Sequence, residues 1–180
     1  MLVRRAAGAA LAGLAVAGAA AVATAPWSTL GSRTAHGPVD AAQAASHLRV
    51  SADRSARPVG ADRLTPGGRY SYTFTVTNAG DRPVRGLVAR SEPAAGEGAM
   101  RLVSVSDPSC HRYERVVCSF PPLDAGERRT VEVVATAAGS GHSGDVLRIS
   151  TYLASFSTVA RGSVSYDVLG RPVSTVTAFG

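Results

Sequence analysis

Hydrophobic and polar residues alternate strictly over eight positions: Tyr70, Tyr72, Phe74 and Val76 take one parity, and Ser71, Thr73, Thr75 and Thr77 the other. Successive side chains of an extended chain point to opposite faces, so this period of two makes one aromatic–aliphatic face and one hydroxyl face. The pattern predicts a half-buried antiparallel strand with its four apolar residues in the core. Asn78-Ala79-Gly80-Asp81 follows. These residues tolerate positive φ or bond their own backbone, so the chain turns there.

Shorter versions of the pattern recur on both sides. Residues 48–51 alternate, and Leu64-Thr65-Pro66-Gly67-Gly68 reads as a turn into the central strand. Residues 83–90 predict a strand that begins on a proline, a position where the missing N–H is tolerated. Residues 92–98 read as loop, and 100–105, 115–120 and 130–136 as further strands, set apart by Asp107-Pro108-Ser109, Pro121-Pro122 and Asp124-Ala125-Gly126-Glu127. Residues 145–156 fit two periods. Val146, Ile149, Leu153 and Phe156 fall near helical spacing, whereas Leu147, Ile149, Thr151 and Leu153 suit a strand, and the flanking turns favour the strand. Residues 163–168 and 173–177 flank Leu169-Gly170-Arg171-Pro172, which predicts a C-terminal β-hairpin within 157–180. Seven to nine short strands with no sustained helix predict an all-β antiparallel sandwich.

The first 46 residues differ in kind. Arg4 and Arg5 precede a run, residues 6–23, made only of Ala, Gly, Leu and Val, and Ala21-Val22-Ala23 ends it as a small-x-small cleavage site. Residues 1–23 therefore read as a secretory signal, with an uncleaved membrane anchor as the rival. Alanine and glycine insert weakly compared with leucine, which favours cleavage. Residues 24–46, rich in Ala, Ser, Thr, Gly and Pro around a single Trp27, read as a flexible linker, and 47–156 as the domain. Within that linker Asp40-Ala41-Ala42-Gln43-Ala44-Ala45 has the makings of one helical turn, too short to stand alone.

Composition adds little to this architecture. All 19 basic residues are arginine, which in an Ala- and Gly-rich chain reflects codon bias more than selection for guanidinium chemistry. Without Arg4 and Arg5, 17 arginines face 13 acids, a net charge of +4. The arginines are spread along the sequence and form no cluster of the nucleic-acid type. The mild positive bias favours an anionic cell envelope as surroundings.

Three features fall in order along the chain. Pro66-Gly67-Gly68 precedes Tyr72-Thr73-Phe74-Thr75-Val76-Thr77-Asn78-Ala79-Gly80; Cys110 and Cys118 come next; Leu123-Asp124-Ala125-Gly126-Glu127 then precedes Thr130-Val131-Glu132-Val133. Over residues 47–156 this order resembles the conserved-repeat Ig-like domain of bacterial and archaeal surface proteins, catalogued as domain of unknown function eleven. The resemblance implies an immunoglobulin-like sandwich on an exported protein and brings no active site with it. Glu92-Pro93-Ala94-Ala95-Gly96 is a loose stand-in for the Pro-x-Gly that family carries between its second and third strands.

Few residues invite chemistry. Cys110 and Cys118 are the only cysteines, and an even count beside an export signal predicts a disulfide. Closing so small a loop stabilises by about 2.5 kcal/mol on a chain-entropy argument. A zinc site with His111 lacks further ligands, and a redox pair favours Cys-x-x-Cys spacing. Gly139-Ser140-Gly141-His142-Ser143-Gly144 matches a dinucleotide fingerprint in letters, but the surrounding strands offer no βαβ unit. His142, Ser143 and Asp145 sit on that loop too, without the Gly-x-Ser-x-Gly of a nucleophile elbow. His36, His47, His111 and His142 show no metal-ligand spacing.

The sequence thus predicts a non-catalytic, secreted or surface-exposed module with no cofactor. Its role would be structural, adhesive or scaffolding, and its partner a cell-envelope or extracellular protein or polysaccharide. Nucleic acid is not expected, and membrane contact only if the N-terminal segment is retained. The alternative is a secreted binding protein. In that case the loop closed by Cys110 and Cys118 would serve a protease inhibitor, or Tyr113, Tyr152 and Tyr166 a carbohydrate-binding platform.

Overall fold

In the computed structural model, residues 37–94, 100–112, 115–158 and 164–180 are described. The proposed signal, Trp27, His36 and Tyr113 lie outside them. The strands are β1 (Val39–Asp40), β2 (Leu48–Ala52), β3 (Arg57–Pro58), β4 (Arg69–Asn78), β5 (Val84–Arg85) and β6 (Leu87–Pro93). There follow β7 (Arg101–Val105), β8 (Cys110–Arg112), β9 (Val116–Ser119), β10 (Arg128–Thr136), β11 (Val146–Thr158) and β12 (Val164–Ala178). Ten of them form two five-stranded sheets, β2-β4-β10-β7 with β3 also on β4, and β12-β11-β6-β9-β8, and β1 and β5 form a separate pair. All pairings within the two sheets are antiparallel. With β2, β4, β10 and β7 in the places of strands A, B, E and D, and β6, β11 and β12 in those of C, F and G, this is an immunoglobulin-like sandwich. One departure is in chain order: β7 comes before the β8–β9 hairpin that extends the other sheet.

The alternation that defines β4 sets the core. Tyr70, Tyr72, Phe74 and Val76 are at most 1% exposed, while the hydroxyl positions between them are half-buried. Phe74 lies opposite Val131 and Tyr72 opposite Val133, so β10 supplies the same parity from its own alternating run. Leu87, Ala89, Val116, Leu147, Ile149 and Leu153 meet them from the second sheet. A buried hydroxyl relay joins the layers: the Tyr72 hydroxyl lies 2.8 Å from Ser91 Oγ, which lies 2.8 Å from Thr151 Oγ1. All three residues are at most 1% exposed.

Two expectations fail, both at the ends of the domain. The linker predicted over 24–46 is, from Val39 onward, part of the fold. β1 pairs in parallel with β5, and Ala41 and Ala44 are 1% and 5% exposed. The short turn over 40–44 closes with Ala44 N–H on the Asp40 carbonyl at 3.1 Å. Tertiary burial of two alanines makes up for a turn too short to persist alone. The hairpin predicted within 157–180 is instead the single strand β12, paired with β11 along its length. Val173 faces Thr151 and Leu169 faces Leu153, so Gly170, Arg171 and Pro172 bulge out opposite Tyr152. Gly170 supplies φ +79° for the bulge, and Pro172 has no N–H to leave unpaired there. The ambiguous segment 145–156 is extended, as β11.

Candidate functional site

Inward parity on β6 and β11 belongs to Ala89, Ser91, Thr151 and Leu153, so Arg90, Glu92, Tyr152 and Phe156 stand on the outward side of the second sheet. Tyr166, opposite Phe156, and Val168, opposite Ala154, join them from β12. Arg90 is the centre of this group. Its Cζ lies 5.5 Å from the Tyr152 ring centroid and 5.1 Å from that of Tyr166. A guanidinium between two aromatic rings is held by the ring quadrupoles, and the contact gains strength as water is excluded. Arg90 is 15% exposed, and its Nε is buried without a hydrogen-bond partner.

Glu92 ties the polar edge together. Its Oε2 accepts from Arg90 at 3.3 Å and from Arg115 at 3.2 Å, while Oε1 accepts from the Tyr152 hydroxyl at 2.8 Å. The Tyr152 phenol is pushed up to about 12, first by burial and then by the hydrogen bond and charge of Glu92. It therefore remains a donor across the physiological range. The apolar edge is open: Phe156 is 46% and Val168 57% exposed, and the Phe156 ring lies 5.4 Å from that of Tyr166. Val88 and Ala154, opposite one another and also outward in parity, are fully covered and make an apolar floor. The surface is a rigid aromatic–guanidinium platform on three adjacent strands. It has stacking faces and fixed donors.

The other residues singled out by the sequence fall elsewhere. Cys110 and Cys118 are directly opposite on β8 and β9 and form a disulfide. His111 lies next to this bridge on the edge strand, opposite Val117. The glycine-rich segment 139–144 connects β10 to β11 and packs on Phe179; a Cβ on Gly141 would come within 2.8 Å of that ring. Asp145 caps this turn through Oδ2, which accepts from the His142 N–H at 2.8 Å, while His142 itself is 87% exposed. His47 lines a separate cleft of about 250 Å³ with Val39, Gln43 and Asn78. The amide of Asn78 is fully engaged there: Nδ2 donates to the carbonyls of Arg82, Leu123 and Asp124, and Oδ1 accepts from Gly80 N–H. Among the described residues no three of His, Cys, Asp and Glu gather as metal ligands.

Sequence reasoning named Tyr152 and Tyr166 and missed Arg90, Glu92, Phe156 and Val168. Their signal is the outward parity of Arg90-Ser91-Glu92, which is read only once β6 is known to lie beside β11.

No family model matches the chain, and no curated protein matches it. Among solved structures it is similar to the third cohesin ScaC from Acetivibrio cellulolyticus, solved in complex with the ScaB dockerin. The identity is 11%, the coverage 73% of this chain and 100% of that one, and the TM-score 0.44. It is similar to AvmM, described as catalysing macrocyclization in alchivemycin A biosynthesis, at 18% identity, 74% and 89% coverage and TM-score 0.42. A third is MyfA, the major subunit of Myf fimbriae from Yersinia enterocolitica, solved with galactose, at 11% identity, 73% and 98% coverage and TM-score 0.38. Likeness at this level transfers no function.

Proposed function

We propose that this chain is an exported, non-catalytic immunoglobulin-like module that acts by contact, as an adhesive or scaffolding element at the cell surface or outside the cell. The contact face is the outward side of β6, β11 and β12. The observation that carries this reading is Arg90 held between Tyr152 and Tyr166, with Phe156 and Val168 exposed beside them. Rigid aromatic and arginine side chains dominate the energetics of binding surfaces because they add area at little cost in conformational entropy. Export is supported by the Arg4-Arg5 start and the apolar run to Ala23. The motif order shared with conserved-repeat Ig-like domains supports a surface location.

A more specific reading, an accessory carbohydrate-binding module, is favoured by the same rings: sugar C–H faces stack on exposed aromatics, and Glu92 and Arg115 stand at the rim to bond hydroxyls. Co-sedimentation with particulate cell-envelope polysaccharide tests both readings. Phe156→Ala and Tyr166→Ala should each weaken binding by about fivefold or more, with melting temperatures near wild type. Undiminished binding by both folded variants would remove this face from the account.

A further inference from the structure

The outward face of the first sheet carries a second, chemically different surface. Register sets its residues in rows across the strands. Arg69, Thr136 and Arg101 make one row on β4, β10 and β7, and Ser71, Val134 and Ser104 the next, with Arg57 of β3 beside Ser71. The three arginines, distant in sequence, are all exposed. Among the described residues no ion pair involves any of them. The nearest acids in register are Glu132, opposite Thr73, and Asp53, whose Oδ2 accepts from the Thr73 N–H; that row is two away from Arg69 and Arg101 and one away from Arg57. At the far end the matching row is Arg49, Thr77 and Arg128, but there Arg49 already donates to the carbonyls of Ser46 and Leu48. The end flanked by β3 and β7 thus carries three arginines without an ion pair among the described residues, against two at the far end.

We propose that Arg57, Arg69 and Arg101 form a binding surface for an anionic polysaccharide, a polymer with carboxylate or phosphate groups spaced along a hydroxylated backbone. Guanidinium forks match carboxylate and phosphate geometry, and their charge is complementary to such a chain. Thr136 lies between Arg69 and Arg101, and Ser71 and Ser104 are in the adjacent row, at positions suited to bond sugar hydroxyls. Arg69 and Arg101 are separated by two interstrand spacings, roughly 10 Å, the scale of a disaccharide repeat. The outward positions of these strands carry no aromatic side chain on which a base would stack. Nor do they present an apolar ridge to enter a bilayer. A hydroxyl-and-guanidinium plane fits a polyanionic glycan better than nucleic acid or lipid. This surface is on the sheet opposite the aromatic platform and does not depend on it.

The test is affinity of the full chain for polygalacturonate and for poly(glycerol phosphate), measured at low and moderate salt. The wild type should bind at least one of them. Arg69→Gln/Arg101→Gln should weaken that binding by about tenfold or more and flatten its salt dependence, because released counterions carry much of such affinity. The pair Arg85→Gln/Arg171→Gln removes the same formal charge elsewhere and should change affinity by less than about twofold. Equal losses for the two pairs would reduce the effect to net charge and overturn the proposal. So would failure of the wild type to bind either polymer, or equal binding to duplex DNA or anionic vesicles with the same dependence on Arg69 and Arg101.

Discussion

Tyr70 and Tyr72 are two residues apart on one strand, in one core, with rings 6.3 Å apart, and they differ in what meets their hydroxyls. The Tyr72 hydroxyl enters the relay through Ser91 to Thr151, whereas that of Tyr70 is buried without a partner. A buried donor with no acceptor is a cost, and removing it is neutral or favourable. Tyr70→Phe should therefore leave stability unchanged or raise it by up to about 1 kcal/mol, while Tyr72→Phe should lose about 1 kcal/mol in denaturant melts. Equal losses would mean that the Tyr70 hydroxyl has an acceptor. On the same strand Phe74→Ala should cost about 3–5 kcal/mol, through lost transfer energy plus a cavity. Thr75→Ala, on the hydroxyl face, should cost under about 1 kcal/mol.

Ionisation follows the same burial. The core phenols of Tyr70 and Tyr72 are driven far above their ordinary value by desolvation, and Tyr152 to about 12. Each folded value lies above the unfolded one, near 10, so the folded state holds the proton more tightly. That stabilisation is complete below about pH 10 and is lost as pH rises through 12 and beyond. Stability should fall between pH 10 and 12, and Tyr152→Phe should lessen the fall. The core parity of Tyr70 and Tyr72 was legible in the sequence. The role of Asn78 was not: its composition marked a turn, but nothing local showed that its side chain, fully buried, would hold three carbonyls from two loops.

At the scale of elements, local signals located the breaks better than they identified them. Leu169-Gly170-Arg171-Pro172 has the residues of a reversal, and the same residues serve a bulge. What decides between them is the length of the partner, since β11 runs on to Thr158 and gives β12 a continuous edge to follow. Gly170→Val, at φ +79°, should cost about 1–2 kcal/mol without changing the binding of the aromatic face. Intact binding with a larger loss would indicate that the bulge also pins the hairpin register. The 39–46 stretch failed for a related reason. Small residues signal a linker by composition, yet Ala41 and Ala44, just after β1, are buried in the hydrophobic core cluster. The disulfide was legible because two cysteines permit one pairing. Replacing both with alanine should cost about 2–3 kcal/mol by thermal or denaturant melt.

For the whole molecule, the two candidate surfaces are products of register. Arg57, Arg69 and Arg101 look scattered along the chain, and the antiparallel order β3-β4-β10-β7 brings them to one end of one face. Arg90, Tyr152 and Tyr166 come together in the same way through β6, β11 and β12. No spacing rule within the sequence encodes either cluster, which is why the fold class was readable and the faces were not. The glycine-rich loop packs on Phe179, and in the cleft beside His47 the Asn78 side chain is engaged with backbone. Amide NMR mapping during titration with soluble cell-envelope polysaccharide fragments tests the contact-face claim most directly. The account predicts shifts centred on Arg90, Glu92, Tyr152, Phe156, Tyr166 and Val168. Shifts confined to residues 139–145 or to the cleft beside His47, with β6, β11 and β12 unmoved, would contradict it.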